Sequence, residues 1–187
     1  MIDYGLIDKS IKFYEEECFQ RIETPWLVSE AIQNASRPPE ATEYKVEYGN
    51  RSKRFVASGE QSFLYLINKG YLPYGTFQTV TPCMRREDFD LTHTKYFVKN
   101  ELIMYKENIE IPDAHWIATK AMIFFRSVVP EGTSNLLKYK QKGNGSIDIE
   151  YDGIELGSYG TRQFGPYKWA YGTGLAEPRF STVMKTK

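Results

Sequence analysis

The last third of the chain constrains the fold most, because it consists of short alternating runs of apolar and polar residues separated by glycines. These runs are LLKYKQ, SIDIEY, IELGSYGTRQ and YKWAYGTGLAEPRF, with Gly143 and Gly145 between the first two. Alternation with a period of two is typical of strands, and short connections join antiparallel neighbours. This part of the chain therefore predicts an antiparallel sheet.

Two long helices are predicted upstream of these strands. Residues 8–23 predict a helix that Asp8 or Ser10 could cap, and residues 113–129 predict a second one capped by Asp113. The apolar stripe of the first helix is formed by Ile11, Tyr14, Cys18, Phe19 and Ile22. Such a stripe either pairs with a second copy of the chain or covers the sheet of its own chain.

The middle of the chain predicts strands and one short helix. A hairpin is expected around Gly49–Asn50, a helix over 59–69, and strands over 76–87 and 93–104. Helix, strands, helix and more strands describe an α+β domain with a mainly antiparallel sheet flanked by helices. We expect residues 1–187 to form one such domain.

Composition excludes several classes of protein. The chain has 24 basic and 24 acidic residues, which argues against a polybasic nucleic-acid binder. Its two cysteines, Cys18 and Cys83, form no zinc-finger pattern and suit a reducing compartment. The charged amino terminus and the lack of a long apolar run predict a cytoplasmic protein without a membrane span.

The first candidate site is the hairpin group, which consists of Arg85, Glu87, His93, Phe97 and Glu101. Arg85 and Glu87 lie two positions apart on one strand, and the other three recur every four positions on the next strand, so each set shares a face. A guanidinium, carboxylates and an aromatic ring on one surface suit a nucleotide. The alternative is a half-exposed hairpin with ordinary surface ion pairs.

The second candidate is the acid–arginine group, which consists of Asp148, Glu155 and Arg162. Two carboxylates can hold a metal ion and an arginine can hold an anionic substrate group. Because the acids are an odd number of positions apart, they share a face only if a bulge or kink intervenes. Ser158 and Gly160 leave room for a ligand near the backbone. Strand charges beside a glycine kink are the alternative.

The third candidate is the glycine–arginine group, which consists of Gly172, Gly174 and Arg179. Two glycines and an arginine before a helix can place a cation against phosphate. A tight turn explains the same residues without any ligand.

Taken in this order, the three groups resemble the catalytic core of the class II aminoacyl-tRNA synthetases. The hairpin group is similar to the second signature motif of that family, and the glycine–arginine group is similar to the third. Pro25, between a helix and a strand, resembles the first motif, which is the usual dimer element. The resemblance implies a synthetase-like fold and a homodimer through the helix at 8–23 and the strand after Pro25.

The resemblance also implies roles in ATP binding. Arg85 would bind the α-phosphate and Arg179 the γ-phosphate, and both would be catalytic. Phe97 would stack on adenine. The remaining ATP-binding residues implied are Glu87, His93, Gly172 and Gly174.

A finer resemblance joins the acid–arginine group to the aspartyl- and asparaginyl-tRNA synthetases and to the ammonia-dependent asparagine synthetases. It implies that Asp148 and Glu155 bind Mg²⁺ beside ATP. The substrate-binding residues implied are Gln61, Ser158, Gly160 and Arg162, of which Arg162 would select the side chain of the amino acid.

These resemblances predict a stand-alone ligase that activates an amino acid with ATP, with aspartate or asparagine favoured and no anticodon-binding domain. The acceptor could be tRNA, ammonia or another molecule. The second hypothesis is a non-catalytic paralogue that binds amino acid or nucleotide as a regulatory module. Pro178 and Lys99 favour it, because both depart from the family motifs. An unrelated structural α+β domain is the third.

Overall fold

The computed structural model describes residues 1–37, 44–48, 51–86, 94–106 and 113–186. Its helices are α1 (Tyr4–Glu16), α2 (Glu30–Asn34), α3 (Gly59–Asn68), α4 (Ala114–Val128) and α5 (Arg179–Lys185). Its strands are β1 (Gln20–Arg21), β2 (Leu27–Val28), β3 (Lys45–Tyr48), β4 (Arg51–Phe55), β5 (Gly75–Met84), β6 (Tyr96–Tyr105), β7 (Leu137–Gln141), β8 (Ile147–Tyr151), β9 (Ile154–Phe164) and β10 (Tyr167–Glu177).

Within the described residues, the strands form one large and one small sheet. The large sheet has the order β1-β5-β6-β10-β9-β8-β7, and its neighbours are antiparallel except for the short β1–β5 pair. The small sheet has the order β2-β4-β3. The prediction of an antiparallel sheet flanked by helices is confirmed.

Strand β6 shows how the large sheet positions a site. Its even-numbered residues Leu102 and Met104 pack with α1 and α4, whereas Ile103 and Tyr105 pack with α3 on the opposite face. This alternation is the normal consequence of a strand's two-residue period. Towards the amino-terminal end of β6, a cleft lies on the face of the sheet that packs with α3.

Helix α1 covers Tyr4–Glu16 rather than 8–23, which corrects the predicted bounds. Asp3 caps it, since its Oδ1 accepts a hydrogen bond from the Leu6 backbone N–H at 3.0 Å. The helix ends before Cys18, whose φ of 65° lies in the left-handed region. Cys18 is therefore exposed and does not belong to the apolar stripe of the helix, contrary to the prediction from the sequence.

The apolar side of α1 packs inside its own chain. Its buried residues are Ile7, Ser10, Ile11 and Tyr14. The Tyr14 hydroxyl donates to the Gly174 carbonyl at 3.0 Å, which ties α1 to β10. The stripe thus covers the chain's own sheet, and α1 gives no independent support to a dimer.

Other predicted elements agree with the structure. Helix α3 ends before Gly70, whose φ is 70°, and α4 begins at the predicted cap, where Asp113 Oδ1 accepts from the Trp116 N–H at 3.0 Å. Strands β3 and β4 pair as expected, although Gly49–Asn50 lie outside the described residues. None of the described helices combines the length and apolar character needed to cross a bilayer.

Candidate functional site

A cleft of about 320 Å³ lies beside the amino end of α3, on the face of the large sheet that α3 partly covers. Elements far apart in sequence form its walls. The predicted site residues that line it are Gln61, Arg85, Phe97, Glu101, Glu155, Ser158, Arg162 and Arg179. The structure thus brings together members of all three candidate groups. Two predicted ATP-binding residues, Glu87 and His93, lie outside the described residues.

Arg85 and Phe97 form one end of the cleft. The Arg85 Cζ lies 5.1 Å from the centre of the Phe97 ring, and its Nε donates to the Ala57 carbonyl at 3.0 Å. Strands β5 and β6 bring the two residues together, because Cys83 pairs with Phe97 across the hairpin. A fixed cation beside a flat ring can contact the phosphate and base of one nucleotide.

Arg179 of the glycine–arginine group and Glu155 of the acid–arginine group form an ion pair in the lining of the cleft. Arg179 is the first residue of α5, and its Nη1 donates to Glu155 Oε1 at 3.2 Å. Both side chains keep some exposure in the cleft, at 20% for Arg179 and 40% for Glu155. Arg179 is placed where an anionic ligand can reach it.

Asp148 lies outside the cleft lining and is almost fully buried. Lys142 Nζ lies 2.6 Å from Asp148 Oδ2 and 3.8 Å from Glu155 Oε2, so one ammonium contacts both acids. The acids share a side because the β8–β9 register shifts between Ile149 and Glu150. The bulge that the odd spacing requires is therefore present.

The acid pair does not fit a magnesium ion as placed. The Lys142 ammonium stands between the carboxylates, where a metal would bind, and supplies the positive charge that they need. The described residues contain no cluster of three or more side chains suited to a metal. Asp148 Oδ1 is buried and has no hydrogen-bond partner among the described residues, so the pair is not fully satisfied by Lys142.

Gly172 and Gly174 do not line the cleft, although they were predicted to bind ATP. A Cβ on Gly172 would lie 2.5 Å from Tyr159 Cδ1, and one on Gly174 would lie 2.8 Å from Tyr14 Cε2. Both glycines are therefore required by core packing against aromatic rings. Their contacts therefore give no support to the expectation that they bind ATP, which stays a prediction.

Gly160 shapes the cleft indirectly. A Cβ at this position would lie 2.7 Å from the Tyr171 hydroxyl, so glycine leaves room for the Tyr171 ring, which lines the cleft. Ser158 lines the cleft itself, and its backbone N–H donates to Thr173 Oγ1 at 3.5 Å.

Gln61 lines the cleft with its amide already engaged. Its Oε1 accepts from the Ala57 N–H at 2.8 Å, and its Nε2 donates to the Gln33 carbonyl at 3.2 Å. Ala57 also accepts from Arg85, as described above. Gln61 therefore holds the segment that positions Arg85, a role that the sequence did not indicate.

Arg162 contacts a residue that the sequence analysis missed. Its Nη1 donates to Glu60 Oε2, and its Cζ lies 4.3 Å from the centre of the Tyr171 ring. Glu60 Oε1 accepts from the indole N–H of Trp169 at 2.7 Å. Burial raises the pKa of Glu60 to about 7, and the charge of Arg162 partly opposes this.

A second ion pair lies next to the first. Lys99 Nζ is 2.8 Å from Glu101 Oε2, and the Ser58 hydroxyl donates to the same oxygen. Helix α3 approaches β6 closely, because a Cβ on Gly59 would lie 2.8 Å from Glu101 Cβ. Glu60 gave no sequence signal, since an acid in the first turn of a helix is ordinarily a surface residue.

Comparison with known proteins gives likenesses of structure. No family model matches the chain, and no curated protein does. A cytoplasmic serine-tRNA ligase from Naegleria fowleri in complex with AMP matches 96% of this chain and 47% of its own, with a TM-score of 0.70 and 14% identity. A seryl-tRNA synthetase from Pyrococcus horikoshii complexed with ATP matches 97% and 49%, with a TM-score of 0.71 and 16% identity.

A pyrrolysyl-tRNA synthetase from Desulfitobacterium hafniense matches 98% of this chain and 67% of its own, with a TM-score of 0.70 and 14% identity. The chain thus spans about half the length of the two serine enzymes and two thirds of the pyrrolysyl enzyme. These likenesses show that the chain has the fold of a class II aminoacyl-tRNA synthetase catalytic core.

Proposed function

We propose that the cleft binds ATP and an amino acid and joins them as an aminoacyl adenylate, with aspartate or asparagine as the favoured substrate. The observation that carries the proposal is the convergence of Arg85, Phe97 and Arg179, from three separate elements, on one cleft. The fold supports it, and two of the similar structures hold AMP or ATP. The protein would be a ligase.

The reaction requires positioning and charge neutralisation more than acid–base chemistry. The amino-acid carboxylate attacks the α-phosphorus of ATP, a carboxyl–phosphate bond forms, and the bond to the β-phosphate oxygen breaks as pyrophosphate leaves. In the proposal Arg85 neutralises the α-phosphate, Arg179 holds the γ-phosphate and Phe97 stacks on adenine. Glu87 would contact the adenine amino group and His93 the phosphates.

We include magnesium in the proposal only for a conformation of the chain in which Lys142 no longer contacts Asp148 and Glu155. Asp148 and Glu155 would then present oxygen ligands, which magnesium prefers. The orphaned Asp148 Oδ1 supports this arrangement, and the two contacts of Lys142 oppose it. No step above depends on the ion.

The acceptor of the activated amino acid is proposed to be tRNA, ammonia or another small molecule or protein. A homodimer and a cytoplasmic location are also proposed. The strand segment after Pro25 is the candidate dimer element, since Trp26 is 53% exposed there. Light scattering that gives the mass of one chain at micromolar concentration would argue against the dimer.

A non-catalytic binding module is the second candidate function. It is favoured by the ion pairs that already engage Arg162, Arg179 and Lys142 in the cleft region. Such a module would bind its ligand without turning it over.

Pyrophosphate exchange into ATP, measured with each amino acid separately, tests the proposal. Exchange that depends on one amino acid is the expected result and names the substrate. No exchange with any amino acid, together with measurable ATP binding, would establish the binding module instead.

A further inference from the structure

Arg162 is the residue predicted to select the amino-acid side chain, and its charge is already engaged within the chain. Its Nη1 donates to Glu60 Oε2 on one side, while the Tyr171 ring lies 4.3 Å from its Cζ on another. The Arg162 side chain is still 33% exposed and lines the cleft. Its remaining N–H groups can therefore meet a ligand, but its charge is shared with Glu60.

Glu60 is fixed in this position. Its side chain is only 3% exposed, and its second oxygen accepts from the Trp169 indole N–H at 2.7 Å. Trp169 is fully buried. If Glu60 turned away to admit another anion, the Trp169 N–H would lose its partner, and a buried unpaired donor is unfavourable.

The neighbouring ion pair adds no net charge to the Glu60–Arg162 pair. Lys99 and Glu101 are 2.8 Å apart, so the four described charges contributed by Glu60, Arg162, Lys99 and Glu101 cancel. A ligand carboxylate would enter beside two carboxylates of the chain. Glu101 Oε1 is buried and has no hydrogen-bond partner within the described residues, so this carboxylate is already poorly satisfied before a second anion approaches.

We propose that Glu60 sets the side-chain specificity of the cleft: its carboxylate cancels the charge of Arg162, so that the subsite takes an uncharged amide in preference to a carboxylate. A primary amide offers an oxygen to Arg162, and it brings no negative charge next to the carboxylates of Glu60 and Glu101. The inference rests on the proposed function and chooses asparagine over aspartate as the substrate. Glu60 acts through Arg162 and is a positioning residue.

Titration of Glu60 provides an independent check. Burial raises its pKa to about 7, and the groups facing it are Arg162 on β9, Trp169 on β10, and Lys99 and Glu101 on β6. Below that pH Glu60 takes up a proton and Arg162 regains an uncancelled charge. Aspartate should therefore bind more tightly as pH falls from 8 to 6, whereas asparagine binding should change little.

Calorimetric titration of the full chain at pH 8 with asparagine and with aspartate tests the inference. The wild type should prefer asparagine by about tenfold or more. Glu60→Gln keeps the shape and the oxygen that accepts from Trp169 but removes the charge, so it should raise aspartate affinity by about tenfold. Glu150→Gln is the control, because Glu150 pairs with Lys140 outside the cleft lining and its loss should leave the ratio unchanged.

A wild type that prefers aspartate, or a ratio that Glu60→Gln leaves unchanged, would overturn the inference. So would the absence of binding of both amino acids to both proteins. The pH series uses only the wild-type chain, so it does not depend on whether a variant folds. An aspartate affinity that stays constant between pH 8 and 6 would also overturn the inference. ATP is titrated in a separate experiment. A failure to bind ATP would count against the proposed function, whereas the ratio of aspartate to asparagine affinity could still be measured and would test the inference about Glu60.

Discussion

The Lys142 ammonium lies 2.6 Å from Asp148 and also reaches Glu155, so a side chain of the protein stands where the sequence predicted a metal ion. Asp148 is almost fully buried, whereas the Lys142 side chain is 41% exposed. Lys142 is therefore the member of the pair that solvent and a competing cation can reach. Whether magnesium enters depends on how readily Lys142 leaves.

Replacing Lys142 by methionine should create a divalent-cation site. Removing one partner of a buried ion pair destabilises a protein by about 3–5 kcal/mol when the other charge stays buried, and Lys142 is partly exposed, so we expect less. Thermal unfolding should show a lowered midpoint that millimolar Mg²⁺ or Mn²⁺ restores. Lys140→Met removes an exposed lysine of the same strand region and should show no such rescue. Equal effects of Mg²⁺ on both variants would contradict the prediction.

Replacing Arg85 by alanine should weaken ATP binding by about tenfold to a hundredfold, since a charge-assisted contact to phosphate is lost. Isothermal titration with ATP measures the change. Arg86→Ala is a matched control, because Arg86 is the adjacent arginine, is exposed and does not line the cleft. If both variants lost affinity equally, net charge rather than the Arg85 position would explain the binding.

Gly172→Ala should destabilise the chain without a specific effect on ligands. The new methyl group would lie 2.5 Å from Tyr159 and 2.6 Å from Ile117, and overpacking of this kind costs about 1–3 kcal/mol. Gly143→Ala is the control, because nothing lies within 4 Å of its added Cβ. Urea unfolding gives the free energies. If Gly172→Ala left stability unchanged but reduced ATP affinity, Gly172 would instead be assigned to the nucleotide-binding site.

Glu60 should make the stability of the chain depend on pH. Its pKa is raised from 4.5 to about 7 in the folded state, so between these values the folded chain binds more protons than the unfolded chain. The free energy of unfolding should therefore fall as pH rises through this window, by at most about 3 kcal/mol. Glu60→Gln should flatten this part of the urea-unfolding profile. A wild-type profile that rises from pH 5 to 8 in parallel with that of the variant would oppose the assignment.

Local sequence patterns predicted much of the fold. The alternation in the last third predicted β7–β10, and Asp113 predicted the start of α4, because both signals depend on near neighbours. The first helix was placed too late, because Asp8 and Ser10 have the chemistry of a cap, whereas Asp3 provides the actual one. In the structure Asp8 pairs with Lys12, and Ser10 donates to the Ile7 carbonyl at 2.8 Å.

The sequence indicated several of the residues that line the cleft, but it did not indicate which residues contact each other there. Arg85 and Phe97 could be matched because Arg85 directly follows β5 and Phe97 lies on β6, the next strand of the same hairpin. The Glu60–Arg162 pair joins residues 102 positions apart, and no local pattern indicates which carboxylate a given arginine will meet. The burial of Gly172 against Tyr159 also depends on which face of β10 meets α4, which the sequence does not specify.

The hydrogen bond between Trp169 and Glu60 gives the chain its own fluorescent reporter. The indole of Trp169 is fully buried and donates to the carboxylate that engages Arg162, so its emission should respond to a charge gained or lost there. The other two tryptophans are Trp26, which is exposed, and Trp116, which stacks on Phe19 away from the cleft lining. If Trp26 and Trp116 are both changed to phenylalanine, the fluorescence of Trp169 alone should report ligand binding in the cleft without any added label.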